Sequence, residues 1–237
     1  MYKNKKISVI FPAYNEEENI ANAILDFRKL KIIDEILVID NNSKDKTNKI
    51  AKTKKAKVIK ETKQGYGYAL RRGLKEAKGD LIFLCEPDGT FLAKDLLKFL
   101  KQSEKYDLVI GTRTNKQYIS KNANMKGALR LGNVVLARFM QALYRPSVSL
   151  TDCGCTFRVI KKKSLKLIYP KFSVGGSFFL SEFTVLSLKN GLSFKEIPIH
   201  YRERVGESKI TGSLKKSIIV GLQMFKIIIT YRFKKIV

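Results

Sequence analysis

The stretch DLIFLC, residues 80–85, contains a continuous apolar run, 81–85, that ends directly before the charged turn EPDG. The stretch EILVID, residues 35–40, has the same character. Apolar runs without alternation are typical of strands that are buried on both faces, as in a mainly parallel sheet covered by helices. These two segments therefore predict an α/β fold.

The first half of the chain repeats this alternation of short apolar runs and amphipathic stretches, which is a βαβ pattern. We predict strands at 6–11, 35–40, 56–60, 80–85 and 107–112. We predict helices at about 16–30, after the second strand, near 66–77 and near 93–103. A chain of 237 residues fits one large domain whose core needs neither a disulfide nor a metal.

Polar residues collect where the predicted strands end, in FPAYNEEE, DNNSKD, EPDGT and GTRT. Ligands of parallel α/β sheets bind beyond the carboxyl ends of the strands. We therefore expect Asp40, Glu86 and Asp88 to meet at one edge of the sheet. The alternative is that Asp40 and Asp88 cap helices or form turns, which is common for aspartate.

Glu86 and Asp88 are separated by a single proline. Two carboxylates so placed can share a divalent cation, and a site with few protein ligands suits Mg²⁺ or Mn²⁺ that carries a substrate's diphosphate. Without a cation the two charges would repel each other. The pair therefore predicts a metal or strong cationic neighbours.

The chain carries 47 Lys and Arg against 21 Asp and Glu, a formal net charge of +26. Such a surface attracts nucleic acid, nucleotide phosphates or anionic lipid, unless the excess reflects only a lysine-rich proteome. No helix-turn-helix, zinc-finger or aromatic RNA-binding signature is visible, so no nucleic-acid partner is expected. A basic nucleic-acid-binding protein remains the alternative from a different class.

Three cysteines, two of them in a Cys-x-Cys pair, favour neither a disulfide framework nor a zinc site and fit a reducing compartment. The N-terminus reaches charges and a proline too soon for a signal peptide.

Seven motifs together resemble family 2 glycosyltransferases of the GT-A fold, in the branch that transfers sugars to polyprenyl (dolichyl-type) phosphates. They are FPAYNEEENI (11–20), VIDNNSKDKT (38–47), GYGYALRRG (65–73), EPDG (86–89), GTR (111–113), TDCGCTFRVI (151–160) and RVGESKITG (204–212). The resemblance implies a GT-A domain over 1–212 and a C-terminal amphipathic helix over 213–237.

The resemblance also assigns residues to roles. It implies that the base and ribose pocket is lined by Pro12, Tyr14, Glu16 and Asp40, and that Glu86 and Asp88 approach the metal and the diphosphate. It places Arg113 and Arg130 on an acceptor phosphate, and Arg204 and Lys209 over the donor diphosphate. Asp88, Asp152 and Arg204 are the implied catalytic residues. The sequence departs from the family pattern with Asn41 in place of a second Asp and with Glu86 at the start of the metal motif.

A general base is harder to identify. The one histidine, His200, lies in the predicted strand segment EIPIHYRE, where a structural imidazole is favoured. A phosphate acceptor with a second pKa near 6 is already largely dianionic at neutral pH and needs no strong base. We expect Asp152 to be an orienting group or a base near the acceptor, and Glu182 to be either such a residue or an acid on a helix surface.

The C-terminal stretch 214–231 has a broad apolar face that is interrupted by Gln223 and Lys226. It falls short of the roughly 18 apolar residues of a spanning helix, so we predict a helix in the plane of a membrane, flanked by basic residues. The alternative is a helix packed on the core. A second amphipathic segment, 129–144, is expected to share the membrane contact.

The resulting expectation is a hexosyltransferase that moves a sugar from UDP or GDP to a polyprenyl phosphate, with a metal and by one inverting displacement. It would work as a peripheral protein on the cytoplasmic face of a membrane. The alternative within the same class is a transferase with a sugar hydroxyl acceptor, as in cell-surface polysaccharide synthesis.

Overall fold

The structure is a computed structural model that describes residues 1–125, 127–145, 149–206 and 214–234. Its described strands are β1 (Ile7–Ala13), β2 (Glu35–Asp40), β3 (Lys57–Lys60), β4 (Leu81–Leu84), β5 (Leu108–Thr112), β6 (Arg158–Lys161) and β7 (Phe194–Pro198). They form one sheet in the order β3-β2-β1-β4-β6-β5-β7. All neighbouring strands are parallel except β6, which runs antiparallel to β4 and β5.

Helices cover this sheet. They are α1 (Ile20–Arg28), α2 (Thr47–Thr53), α3 (Tyr66–Glu76), α4 (Leu96–Ser103), α5 (Gly127–Tyr144), α6 (Lys162–Ile168), α7 (Phe179–Lys189) and α8 (Leu214–Phe233). The mainly parallel sheet between helices confirms the predicted fold class.

The central strands of the sheet are buried from solvent, as the continuous apolar runs predict. Every residue of β1 and β4 is buried. Helix α3 crosses β1 closely at Gly73, where an added Cβ would come within 2.4 Å of the Ile10 side chain. The parallel register places Ala13 opposite Asp40, so the loops that follow β1 and β2 leave the same edge of the sheet.

The first helix begins later than predicted, at Ile20 rather than at about residue 16. The reason is a loop-to-loop contact: the Asn15 amide donates to Ser43 Oγ at 3.1 Å, and the Glu17 amide donates to Asp45 at 3.1 Å. These bonds, together with a positive φ of 54° at Asn15, hold the segment out of a helix.

Helix α8 has two different faces. Met224, Ile227, Ile228 and Tyr231 are buried against the core, at the spacing of one helical stripe, while other large apolar side chains of the helix are exposed. The buried stripe agrees with the alternative of a helix packed on the core, and the in-plane membrane helix stays a prediction for the exposed face. In the described part of the chain, none of the helices combines the length and the apolar character that a membrane-spanning segment needs. The predicted domain boundary, 212/213, lies outside the described residues.

Candidate active site

A cavity of about 630 Å³ lies at the carboxyl edge of the sheet. Many of the residues named from the sequence line it: Pro12, Tyr14, Glu16, Glu86, Asp88, Arg113 and Arg204. Asp40, Arg130 and Asp152 are not among its lining residues, although they hold parts of its wall, and Lys209 lies outside the described residues.

Asp40 acts on the loop beside the cavity. Its carboxylate accepts the Ser43 amide at 2.9 Å and the Asn48 side-chain amide at 3.0 Å. The next residue, Asn41, lines the cavity, and its side-chain amide donates to the Glu61 and Lys63 carbonyls. Asn41, which stands where the family often has a second Asp, thus uses its side-chain amide to tie the loop to the segment after β3. The bonds of the Asp40 carboxylate favour a positioning role for Asp40 beside the cavity.

Glu86 is held by two hydroxyl groups. Tyr66 Oη donates to Glu86 Oε1 at 3.0 Å, and Thr156 Oγ1 donates to the same oxygen at 3.1 Å. Burial, and then the neighbouring Asp88 carboxylate, raise the pKa of Glu86. A carboxylate that resists ionisation beside a second acid is one that a cation would stabilise.

Asp88 already has a cationic neighbour. Arg204 Nη1 lies 2.9 Å from Asp88 Oδ2, and Arg204 Nη2 lies 3.0 Å from Glu16 Oε1. The other Asp88 oxygen accepts the Thr90 hydroxyl at 2.6 Å. The buried Nε of Arg204 has no hydrogen-bond partner among the described residues. This orphaned donor beside two carboxylates is suited to a phosphate oxygen.

Within the described ranges, no group of three or more His, Cys, Asp or Glu side chains is arranged to hold a metal ion by itself. Of the three described acids that line the cavity, Glu16 pairs with Arg204, and Glu86 and Asp88 are the adjacent pair that could act as metal donors. This set fits Mg²⁺ or Mn²⁺, which proteins commonly hold through one or two carboxylates together with substrate phosphates.

Arg113 and Asp152 form a nearly dry ion pair next to these acids. Arg113 Nε and Nη2 donate to the two oxygens of Asp152 at 2.8 and 3.0 Å, and Asn133 donates to the same carboxylate at 2.7 Å. Burial opposes ionisation of Asp152, but the Arg113 charge and the hydrogen bonds from Arg113 and Asn133 together outweigh it and hold the pKa of Asp152 below its usual value. The same charge pair holds the pKa of Arg113 high against its burial. Asp152 is therefore a carboxylate that orients Arg113.

Arg130 lies behind this pair. Its Nε donates to the Thr114 carbonyl at 2.7 Å. Its neighbours Leu129 and Gly132 line the cavity, whereas Arg130 itself does not. The described structure therefore brings Arg113, but not Arg130, to the cavity wall.

Two sequence interpretations are corrected here. Glu182 is fully buried, so it is not a helix-surface acid. It accepts the amides of Ser173 and Val174 and the Tyr231 hydroxyl, which ties α7 to α8 and leaves it structural. His200 lies after β7 rather than within it, since that strand ends at Pro198. Its Nδ1 lies 3.0 Å from Asp95, which agrees with a structural imidazole.

The far end of the cavity is apolar and is built by α5 and α8. Added Cβ atoms at Gly132 and Gly221 would meet nothing described within 4 Å, so these positions leave open space between the two helices. The apolar lining there consists of Met125, Ala128, Leu129, Leu136, Ile218, Val220 and Met224. A charged end and an apolar end thus share one cavity.

Sequence reasoning did not single out Tyr66, Thr156, Asn133 or Gln64. Tyr66 and Thr156 were visible only as parts of the motifs GYGYALRRG and TDCGCTFRVI, and no motif contained Asn133 or Gln64. Their contacts join segments far apart in the chain: Thr156 and Tyr66 each bond Glu86 from 70 and 20 residues away.

Comparisons with known proteins identify the family of this chain. The profile of glycosyl transferase family 2 matches residues 8–168. A dolichyl-phosphate hexose transferase of Haloferax volcanii is 30% identical over 211 residues, which covers 88% of each chain. The low-salt glycan biosynthesis hexosyltransferase Agl6 of the same organism is also 30% identical, over 86% of this chain and 49% of its own length.

Among solved structures, the fold is similar to that of glucosyl-3-phosphoglycerate synthase from Mycobacterium tuberculosis, crystallised with Mn²⁺, UDP and phosphoglyceric acid. The TM-score is 0.74 at 18% identity, covering 98% of this chain and 80% of that one. This likeness shows a common GT-A fold. Together with the profile match across most of the chain, it leads to one conclusion: the protein is a glycosyltransferase that belongs to glycosyl transferase family 2.

Proposed function

We propose that this protein transfers a hexose from a nucleoside diphosphate, UDP or GDP, to the phosphate of a polyprenyl lipid. The observation that carries the proposal is that one cavity is lined both by the acids at the sheet edge and by an apolar wall from α5 and α8. A sugar nucleotide suits the first end and a prenyl chain suits the second.

At the donor end, Pro12, Tyr14, Glu16 and Asn41 line the space assigned to the nucleoside, with Asp40 fixing the loop beside it. Glu86 and Asp88 would hold Mg²⁺ or Mn²⁺, which would neutralise charge on the leaving diphosphate. Arg204 is placed to add its unsatisfied Nε to a phosphate oxygen. Lys209 stays a predicted contact of the same phosphates.

At the junction of the two ends, Arg113 presents a fixed cation to the acceptor phosphate. An acceptor phosphate oxygen would bond to the anomeric carbon while the bond from that carbon to the diphosphate oxygen breaks, with inversion. No proton has to be removed. The Asp152 carboxylate is occupied by Arg113, Asn133 and the Gly154 amide, which suits a positioning group better than a base.

At the apolar end, α5 and α8 expose large side chains next in sequence to the lining residues Gly132 and Gly221, with Leu131 and Leu222 each 64% exposed. Residues 127–145 and 214–234 contain eight Lys and Arg and no acid. This combination of apolar and cationic surface suits an anionic membrane, where a lipid acceptor would be met. The cytoplasmic face remains a prediction.

The named relatives support the two substrate classes. The relative from Haloferax volcanii is a dolichyl-phosphate hexose transferase, and the structural neighbour holds UDP and Mn²⁺. Arg130, held against the Thr114 carbonyl, stays a predicted contact of the acceptor phosphate.

The test is transfer of labelled sugar from a panel of UDP- and GDP-hexoses, with Mg²⁺ or Mn²⁺, to a polyprenyl phosphate and to the matching polyprenyl alcohol and a free sugar. We expect label in the lipid phosphate with one donor and none in the alcohol or the sugar. Label in a hydroxyl acceptor, with none in the lipid phosphate, would favour the hydroxyl-acceptor alternative and refute the proposal.

A further inference from the structure

Glu196, on β7, clamps the chain segment that carries Asp152. Its two carboxylate oxygens accept the Thr151 amide at 2.9 and 3.0 Å and the Asp152 amide at 2.9 Å. The Thr151 hydroxyl adds a third donor at 2.7 Å. All of these partners donate, so the group that fits the clamp is an ionised carboxylate.

The clamped segment holds both arginines assigned to the acceptor phosphate. Asp152 fixes Arg113 through the paired bonds described above. The Thr151 hydroxyl lies 2.8 Å from the Thr114 hydroxyl, and the Thr114 carbonyl accepts Arg130 Nε at 2.7 Å. The Glu196 carboxylate therefore supports Arg113 through Asp152, and it supports Arg130 through Thr151 and Thr114.

We propose that Glu196 is a positioning residue that sets Arg113 and Arg130 for the acceptor phosphate. This inference rests on the proposed function, since it concerns the acceptor end of the same site. Glu196 itself lines a second, polar cavity with Thr112, Asn115 and Lys195, away from the acids of the donor end. It touches neither substrate in this arrangement and acts through residues 151 and 152.

The surroundings of Glu196 make the clamp sensitive to pH. Burial raises the pKa of Glu196 to about 7, against hydrogen bonds from Thr151 and Asp152 that lower it. Asp152 is the charged group that faces it from the loop before β6, β5 places Ile110 opposite it, and Lys195 lines the same polar cavity. A protonated Glu196 would offer an O–H to a ring of donors and weaken the clamp.

As pH rises towards 7, acceptor binding should then strengthen while the stability of the protein falls. Since its folded pKa is raised above the usual 4.5, ionisation of Glu196 lowers stability as pH rises from about 4.5 to about 7. Over the upper part of the same window the clamp forms, so acceptor binding should strengthen. A residue with a merely structural role would move both properties together.

The experiment compares the wild type with Glu196→Gln, and with Glu104→Gln as control because Glu104 pairs with Lys3 on the surface. The probe is a short-chain, water-soluble prenyl phosphate, whose binding is measured by calorimetry across the neutral range. Binding of UDP with Mn²⁺ is measured alongside. We expect about tenfold weaker prenyl-phosphate binding in Glu196→Gln, unchanged UDP binding, and loss of the transition near pH 7, leaving only the ligand's own titration near 6.

Equal prenyl-phosphate affinity and equal pH dependence in the wild type and Glu196→Gln would overturn this inference while leaving the proposed function standing. No prenyl-phosphate binding by the wild type would refute both. If Glu196→Gln does not fold, Glu196→Asp replaces it: partial binding with a shifted transition supports the clamp, and wild-type behaviour refutes it.

Discussion

At the scale of single residues, the Asp152 carboxylate is fully engaged by its hydrogen-bond donors. It is fully buried and pairs with Arg113 in a bidentate geometry, with Asn133 as a further donor. Breaking a buried pair from one side costs more than the pair contributes, because the remaining charge has no partner. The residue therefore matters first for holding Arg113.

We predict that Asp152→Asn lowers the free energy of unfolding by about 3–5 kcal/mol. Transfer to a lipid phosphate falls because Arg113 loses its fixed orientation. Denaturant unfolding measures the first effect, with Asp26→Asn on the surface as a control that should stay within about 0.5 kcal/mol of the wild type. An Asn variant of wild-type stability that is wholly inactive would instead indicate a base.

The residues themselves were only partly predictable. Glu86, Asp88 and Arg204 line the cavity, and they could be named from the sequence because they lie in short local motifs. The partners of Asp152 and Glu182 were not predictable, since Arg113 lies 39 residues away and Tyr231 lies 49 residues away. Local sequence identifies an acid but not the donor that the fold brings to it.

At the scale of elements, the start of α3 depends on a contact with the loop before α7. The Tyr68 amide donates to the Gly175 carbonyl at 3.1 Å, and a Cβ at Gly175 would lie 2.2 Å from the Tyr68 ring. Only a glycine fits so close to the ring. This contact fixes the helix end that presents Tyr66 to Glu86.

We predict that Gly175→Ala destabilises the protein by about 1–3 kcal/mol through overpacking. UDP binding with Mn²⁺ should weaken as Tyr66 shifts. Thermal unfolding and calorimetry measure the two effects. Gly132→Ala is the matched control for stability, because its Cβ would meet nothing described within 4 Å, and it should be neutral or up to about 1 kcal/mol more stable. Equal stability of the two variants would contradict the role of this contact.

The elements were more predictable than their ends. β2 was predicted at its observed bounds and β4 within one residue at each end, because buried parallel strands leave continuous apolar runs. The start of α1 was predicted too early, because its delay comes from bonds to the loop before α2, which no local pattern records. The sequence of α8 fitted two interpretations because its opposite faces are both apolar.

At the scale of the whole molecule, the chain has a formal net charge of +26, whereas three described acids, Glu16, Glu86 and Asp88, line the cavity. The cationic surface suits both a nucleoside diphosphate and an anionic membrane. The exposed apolar side chains of α5 and α8 add a second attraction to a membrane only.

We predict that the protein binds vesicles of phosphatidylcholine mixed with phosphatidylglycerol more tightly than vesicles of phosphatidylcholine alone, and that salt weakens this binding. Leu222→Glu should reduce binding about tenfold, in line with the loss of one buried leucine side chain. Leu167→Glu, at a similarly exposed leucine on α6, is the control and should bind as the wild type does. Co-sedimentation measures all three. Equal losses in both variants would mean that charge alone, and not this face, directs binding.

The most direct measurement concerns the acids at the sheet edge: electron paramagnetic resonance of Mn²⁺ titrated with UDP, in the wild type and in Asp88→Asn. Asp26→Asn removes the same charge from the surface and serves as control. We predict that UDP and wild-type protein together bind Mn²⁺, that the control does likewise, and that Asp88→Asn loses this binding while remaining folded. Unchanged Mn²⁺ and UDP binding by folded Asp88→Asn would contradict the assignment of the metal and diphosphate to this edge of the sheet.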